Sequence, residues 1–319
     1  MREHIAKRYE GNPILTAADF PRPVNSVFNA GAAKLGDEYI LLNRVEGLDG
    51  ISCLWVARSQ DGVHFTPDPE PAMVHATEGP YAIYEEYGIE DPRITKITDV
   101  YYITYTCYSR YAPCVGLART TDFRTFERMG IISLPPNKDV VLFPEKIGGR
   151  YARLDRPSTP AGKCEVGGNI WLSYSPDLLH WGDPRPVMRP RKGRWDSKKI
   201  GAGAPPIKTE QGWLEIYHGV RETGSGVLYR LGVALLDLED PSQVIGRAAE
   251  AILSPAAPED FLGNVMNVVF TCGAILEDDG EVKIYYGAAD QVMCLATASL
   301  DDLIALCLTS PKAQKLSGR

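Results

Sequence analysis

The sequence predicts an all-β fold, a five-bladed β-propeller. One order of segments recurs five times, with a period of roughly 40–55 residues, as expected for propeller blades. Segments such as YYITYTCY and KIYYGA place β-branched or aromatic residues at alternate positions, which is typical of strands. The 30 Gly and 24 Pro are spread along all 319 residues and suit many short strands joined by turns.

Each repeat begins with a segment able to reach a central axis, followed by an alternating strand, a strand of small and apolar residues, and an outer strand. In chain order the repeats run from YILLNRVEG to LWVARSQDGVHF, from EDPRITKITDVYYITYTCY to VGLARTTDFRTF, from VVLFPEKIGGRYARLDRP to IWLSYSPDLLHW, from APPIKTEQGWLEIYHGV to YRLGVALLDLEDPSQV, and from VVFTCGAILEDDGEVKIYYGAAD to VMCLATASLDDLI. A two-sheet β-sandwich would explain the strands but not this fivefold recurrence.

The turn before the outer strand contains an aspartate in three repeats, Asp61, Asp122 and Asp177. An Asp side chain at such a place accepts hydrogen bonds from the backbone of its own turn. We therefore expect these residues to be structural. We expect one domain over residues 1–319, with about 25 N-terminal and about 15 C-terminal residues as extensions to the propeller.

Composition excludes several classes of protein. With 44% hydrophobic and 24% charged residues, the chain can bury a substantial core. The net charge of −7 argues against a nucleic-acid partner. No stretch has the length and apolarity of a membrane span or signal peptide, so a cytoplasmic location is the default expectation. The seven scattered cysteines predict reduced, mostly buried thiols and no metal site.

The first strands of a propeller converge on an axial channel, where unusually polar residues from several blades can form one site. In YGIEDPRI, Glu90, Asp91 and Arg93 precede a predicted strand, and Pro92 favours an extended backbone at Asp91. An acid there would face the channel. A surface Asp–Arg pair, worth little energetically, explains this segment equally well.

Cations cluster in the third repeat, where Lys138, Lys146 and Arg156 surround one predicted hairpin. They can meet at the channel mouth or be solvated separately, which is the usual fate of lysine. Arg156, between Leu154 and Pro157, has the more buried setting.

Polar residues also end strands in the last two repeats. IYHGV places Tyr217 and His218 at a strand end, with Tyr229 and Arg230 following in VLYRLG, and YYGAAD ends at Asp290. A lone histidine in a strand is more often a core residue than a catalyst, and Asp290 can equally cap a turn.

Hydride transfer, triad hydrolysis and nucleotide chemistry have no motif in this sequence. Acids, cations and aromatic side chains around a channel favour carbohydrate chemistry instead. Four aromatic residues could support sugar rings, although most of them are expected in the core: Trp55, Tyr87, Trp195 and Trp213.

Taken together, the motifs resemble glycoside hydrolase family 130, the mannoside phosphorylases and related mannosidases. The segments that carry the resemblance are GIEDPR, NKDVVLFPEKI with LDRP, SKKIGAGAPPI, IYHGV with YRLGVALLDLEDP, NVVFTCGAI and IYYGAAD. They occur in order from Asn29 to about Ile304 and are specific as a set.

The resemblance implies a five-bladed propeller and inverting phosphorolysis of a β-mannoside, which yields α-mannose 1-phosphate. It places the general acid at Asp91, with the proton passing through a mannose hydroxyl. It implies phosphate binding by Arg44, Lys138, Arg156, His218 and Tyr229. It implies sugar contacts by Asn29, Lys199 and Asp290, and we assign Glu90, beside Asp91, to substrate binding as well.

The cation set favours phosphorolysis over hydrolysis, because an inverting hydrolase needs a carboxylate base whereas phosphate is already an anionic nucleophile. The sequence departs from the family at Lys138 and Arg156, where the Lys and Arg types are exchanged, and at Phe261 and Leu262, where a Tyr-Glu pair is absent. A β-mannosidase and a non-catalytic sugar-binding propeller are the alternatives. The expected ligands are a carbohydrate and inorganic phosphate, with no metal or organic cofactor, and a homo-oligomer is left open.

Overall fold

Five antiparallel sheets follow one another along the chain. The computed structural model describes residues 5–158 and 168–310. Before the first sheet come β1 (Lys7–Arg8) and a short 3-10 helix (Ala17–Asp19). The first sheet contains β2 (Ser26–Leu35), β3 (Glu38–Glu46), β4 (Ser52–Ser59) and β5 (Thr66–Pro67). The second contains β6 (Ile89–Ile97), β7 (Val100–Cys107), β8 (Cys114–Thr120) and β9 (Glu127–Ile131).

The remaining three sheets repeat this order, with additions in the fourth and fifth. The third contains β10 (Asn137–Leu142), β11 (Tyr151–Pro157), β12 (Ile170–Ser175) and β13 (Gly182–Met188). The fourth contains β14 (Lys199–Ala202), β15 (Ile207–Lys208), β16 (Trp213–Thr223), β17 (Gly226–Leu236) and β18 (Val244–Arg247). After α1 (Pro258–Phe261), the fifth contains β19 (Val269–Leu276), β20 (Glu281–Ala288) and β21 (Val292–Ser299), and α2 (Leu300–Thr309) ends the described chain.

The sheets are arranged as a ring, which confirms the predicted five-bladed propeller. The first strands pack in succession around the axis, β2 against β6, β6 against β10 and β10 against β14, and β19 returns to β2. Hydrogen bonds also join the two ends of the described chain. The strand β1 pairs with β21 and forms the outer strand of the fifth blade. This short strand lies inside the segment expected as an N-terminal extension.

The apolar core is divided among the gaps between neighbouring blades. Leu42 and Val56 of the first blade pack with Ile103 of the second, while Leu172 of the third packs with Trp213 of the fourth. Similar clusters fill the other three gaps. Because the blades pack against one another, both faces of a middle strand are buried, as the burial of Ile40, Leu41 and Leu42 in β3 shows.

The three turn aspartates have the structural role expected of them. The Asp122 carboxylate accepts the backbone N–H groups of Arg124 and Thr125, both at 2.9 Å. Asp61 and Asp177 make the corresponding pairs of bonds two and three residues ahead. These bonds satisfy turn donors that the sheets leave without partners.

The thiols and the helices add little to the functional question. Six cysteines are free and five of these are buried, while Cys164 lies outside the described residues. Among residues 5–158 and 168–310, no helix has the length and apolarity needed to cross a membrane.

Replacing Asp122 by Ala should lower the free energy of unfolding by about 1 kcal/mol, as for other side chains that cap backbone N–H groups. Urea unfolding followed by tryptophan fluorescence measures this change. Asp278→Ala, at an exposed turn position, serves as the control and should have little effect. Equal stability of Asp122→Ala and wild type would show that the turn does not depend on the carboxylate.

Candidate functional site

Bulges in the inner strands aim polar side chains at the propeller axis. The pairing register shifts between Phe28 and Gly31 in β2, between Glu90 and Arg93 in β6, and between Lys138 and Val141 in β10. The residues inside these bulges include Asn29, Asp91 and Asp139, whose φ angles are 51°, 49° and 58°. Asn and Asp tolerate this left-handed conformation better than most residues, and bulges commonly redirect side chains beside active sites.

Two local expectations about Asp91 are therefore wrong. The motif that contains it lies within β6 rather than before a strand, and its backbone is left-handed rather than extended. The bulge outweighs the preference that Pro92 imposes on the preceding residue.

Asp91 is 6% exposed and lies among polar partners from the first blade. Asn29 Nδ2 donates to Asp91 Oδ1 at 3.0 Å, and an Arg44 guanidinium N–H donates to the same oxygen at 3.2 Å. Burial opposes ionisation of Asp91, but the positive charges of Arg44 and Lys138 outweigh it and hold the pKa below its ordinary value. This carboxyl is therefore ionised at physiological pH.

Glu90 holds the neighbouring cations in place. Its two carboxylate oxygens accept hydrogen bonds from Arg44 and from Lys138 Nζ, each at 3.0 Å. Arg44, from β3, and Lys138, from β10, are thereby fixed on the two sides of Asp91.

Asp139 organises the opposite side of the site. It accepts hydrogen bonds from Arg156 Nε at 2.6 Å and from the Arg93 guanidinium at 3.2 Å, and it lies 3.5 Å from His218 Nε2. Burial opposes the ionisation of Asp139, but the positive charges of Arg156 and Arg93 outweigh it, so the pKa of this carboxyl is lowered. A Cβ atom on Gly201 would overlap both Asp139 and the His218 ring, so only glycine permits this approach.

The His218 side chain is uncharged at physiological pH. Burial, together with the positive charges of Arg156 and Lys199, lowers its pKa to about 3 despite the opposing effect of Asp139. Its ring stacks on Tyr229, with centroids 6.1 Å apart, and packs against Phe270. Lys199 Nζ lies 5.2 Å from the centre of the Tyr229 ring, and burial together with Arg156 lowers the Lys199 pKa to about 8.

One cavity of about 220 Å³ brings these side chains together. Nine of the ten residues selected from the sequence line it, and the tenth, Glu90, stands behind Arg44 and Lys138. The lining residues from that selection are Asn29, Arg44, Asp91, Lys138, Arg156, Lys199, His218, Tyr229 and Asp290. Their individual roles remain predictions.

Sequence reasoning missed Asp139 and the apolar wall of the cavity. Val227 comes from β17, Val265 and Val268 come from the segment between α1 and β19, and Phe270 comes from β19 itself. Asp139 directly follows a candidate cation, but its left-handed backbone and its ion pairs cannot be seen in a sequence. The departure from the family at Phe261 and Leu262 lies at the start of the segment that supplies this wall.

Several residues considered at the outset lie elsewhere. Lys146 is exposed and stacks on Tyr151, so it does not join the cation cluster. Trp55, Trp195 and Trp213 are buried, whereas Tyr87 is 45% exposed. The Tyr87 ring packs edge-to-face on Tyr108, and the Tyr108 ring centre lies 5.7 Å from Lys138 Nζ. None of these four aromatic residues lines the cavity at Asp91.

The charges of the site suit an anion. The site contains five cationic side chains and four carboxylates. The cations are Arg44, Arg93, Lys138, Arg156 and Lys199, and the carboxylates are Glu90, Asp91, Asp139 and Asp290. One of the four is easily neutralised, because burial and the charge of Asp91 raise the pKa of Asp290 to about 6. Positive charge in a cleft attracts anions. Within the described residues, no group of three potential ligands is arranged to hold a metal ion.

The raised pKa of Asp290 predicts how this residue affects the free energy of unfolding at different pH values. Since its pKa in the folded state, about 6, lies above the ordinary aspartate pKa of 3.8, the folded state keeps this proton between those two pH values, and ionisation at higher pH costs stability. Asp290→Asn should therefore be more stable than wild type at pH 7, by roughly 1–2 kcal/mol, with the gain disappearing near pH 4. Urea unfolding at both pH values tests this, with Asp278→Asn as the control. A gain that is the same at both pH values would contradict the assignment.

Proteins of one known family resemble this chain over nearly its whole length. Residues 3–309 match the glycoside hydrolase 130 family, described as β-1,4-mannooligosaccharide phosphorylase. A β-1,2-mannobiose phosphorylase of Listeria innocua is 35% identical, over 93% of this chain and 97% of its own length. A β-1,4-mannooligosaccharide phosphorylase of Ruminococcus albus is 36% identical, over 93% of this chain and 89% of its own.

The fold agrees equally well with solved structures. The Listeria innocua β-1,2-mannobiose phosphorylase in complex with β-1,2-mannobiose superimposes with a TM-score of 0.86 and 34% identity, covering 95% of this chain and 99% of that one. With a family match over nearly its whole length and relatives of the same size and fold, this chain belongs to glycoside hydrolase family 130.

Proposed function

We propose that this protein is an inverting β-mannoside phosphorylase that converts a β-1,2- or β-1,4-linked mannoside and inorganic phosphate into α-mannose 1-phosphate and a shortened acceptor. The observation that carries the proposal is the cluster of cations around a buried carboxylate, Asp91, in one cavity. The relatives that cover most of the chain are named mannoside phosphorylases of both linkage types.

In this proposal Arg44, Lys138 and Arg156 bind the phosphate, with His218 and Tyr229 completing the pocket. Guanidinium groups suit this role because they can donate two parallel hydrogen bonds to a phosphate. A phosphate oxygen attacks C1 of the mannosyl unit from the face opposite the leaving group. The C1–O bond to the acceptor then breaks through an oxocarbenium-like transition state.

The leaving oxygen takes its proton from Asp91, by way of a mannose hydroxyl as the family resemblance implies. Before phosphate binds, Asp91 is ionised because Arg44 and Lys138 stabilise its charge. A bound phosphate dianion would neutralise those cations and repel the carboxylate, which raises the pKa of Asp91. The acid thus acquires its proton when the nucleophile is in place.

The neighbouring carboxylates support phosphorolysis over hydrolysis. A hydrolase would need one of them as a base that activates water. Glu90 is held in ion pairs by Arg44 and Lys138. Asp139 is likewise held by Arg93 and Arg156, so neither carboxylate is free to activate water. Phosphate needs no such base.

Asp91→Asn should reduce the rate of mannose 1-phosphate release from β-mannobiose by about 10²- to 10⁴-fold, since the amide cannot supply the proton. Circular dichroism and thermal unfolding check that the fold is retained, and Asp278→Asn should keep full activity. Retention of more than about a tenth of the wild-type rate by Asp91→Asn would remove this residue from the reaction.

Arg156→Ala should raise the KM for phosphate by about 10- to 100-fold, because a charge-assisted hydrogen bond is lost, while the KM for the mannoside changes less. Arg156→Lys, which keeps a cation beside Asp139, is the matched control and should recover part of the affinity for phosphate. An unchanged phosphate KM in Arg156→Ala would show that this guanidinium does not bind the nucleophile.

A further inference from the structure

A second cavity lies behind the β16–β17 hairpin and is larger than the first. Its volume is about 570 Å³, compared with about 220 Å³ for the cavity at Asp91. Three arginines, Arg194, Arg221 and Arg230, line it together with Trp195 and Glu250.

The hairpin is a wall common to both cavities. Val220 pairs with Tyr229 and Gly219 pairs with Arg230, so adjacent residues of β17 point to opposite faces. Tyr229 lines the cavity at Asp91, while Arg230 lines the second cavity.

The floor of the second cavity is rigid. The Trp195 ring lies against Gly219 and Gly232, where any Cβ atom would overlap it. Its neighbour Asp196 is fully buried and bound by Arg191 and Arg247, at 2.8 and 2.6 Å. A ligand would therefore meet a preformed surface.

The three arginines have no ion-pair partner among residues 5–158 and 168–310, although the exposed Glu250 lines the same cavity. Arg230 is half-buried, and burial together with the charge of Arg221 lowers its pKa. By contrast, the similarly buried Arg44 and Arg128 each contact a carboxylate. Neighbouring guanidinium groups repel one another unless an anion lies between them.

We propose that this cavity is a second anion site, which binds the phosphate group of a phosphorylated sugar. Arginine forks match phosphate geometry, and the volume falls in the range of small-molecule sites, well beyond the needs of a lone ion. Apolar surface from Ile5, Ala251 and Leu306 remains beside the arginines to pack against a sugar ring. Binding of a sugar phosphate in this cavity does not depend on the reaction proposed for the cavity at Asp91.

Calorimetric titration with α-mannose 1-phosphate, and separately with inorganic phosphate, tests this site. The double variant Arg221→Gln/Arg230→Met removes both charges while Met keeps the apolar stem of Arg230. We expect the variant to bind one equivalent of sugar phosphate fewer than wild type, or to bind that equivalent at least about tenfold more weakly. Arg124→Gln, at an exposed position of the second blade, should bind like wild type.

Equal stoichiometry and affinity in the double variant and wild type would overturn the proposal. The double variant could instead bind one equivalent fewer of inorganic phosphate than wild type but the same number of equivalents of the sugar phosphate. That result would overturn the assignment of the sugar. A change of oligomeric state in the variant on size-exclusion chromatography, without a change in sugar-phosphate binding, would show that another copy of the chain covers the arginines. Absence of phosphorolysis in wild type would leave this comparison of binding unaffected.

Discussion

The site depends on one buried guanidinium, that of Arg93, which joins three blades at the propeller axis. Arg93 is 2% exposed and donates to the Asp91 carbonyl at 3.0 Å, to the Asp139 carboxylate at 3.2 Å, and to the carbonyls of Gly203 and Ala202 at 2.9 and 3.2 Å. A buried charge is tolerated only when its hydrogen bonds are satisfied, so these contacts fix the bulge at Asp91 relative to the third and fourth blades. Asp91 and the cations proposed to bind phosphate are thereby held in one frame.

Asp139 links this frame to the proposed chemistry. It is ionised, and it binds Arg93 and Arg156 while lying close to His218. Each of those contacts orients a group that faces either the acid or the proposed phosphate. In contrast, Asp91 is surrounded by cations that a bound phosphate would neutralise. The two carboxylates therefore differ in their neighbours: Asp139 is held by protein groups, whereas the cations around Asp91 would also bind phosphate. Such differences allow two acids in one pocket to have different roles.

The propeller could be predicted from the sequence because its repeat is local. Alternating strands, turn aspartates such as Asp122, and the regular spacing between them can all be recognised along the sequence. The site was predictable largely through its similarity to a known family, and its residues do converge on one cavity. Asp139 could not be found in this way, since its importance comes from a bulge and from contacts with other blades. Two placements stayed open for Lys146 for the same reason, because sequence proximity to Lys138 does not reveal which end of a hairpin faces the axis.

The most direct test of the proposed reaction is product analysis with β-1,2- and β-1,4-mannobiose, each incubated with the purified protein with and without inorganic phosphate. The account predicts α-mannose 1-phosphate, identified by its anomeric NMR signal, from at least one substrate and only when phosphate is present. Free mannose released at the same rate in both conditions would contradict the account and identify a hydrolase.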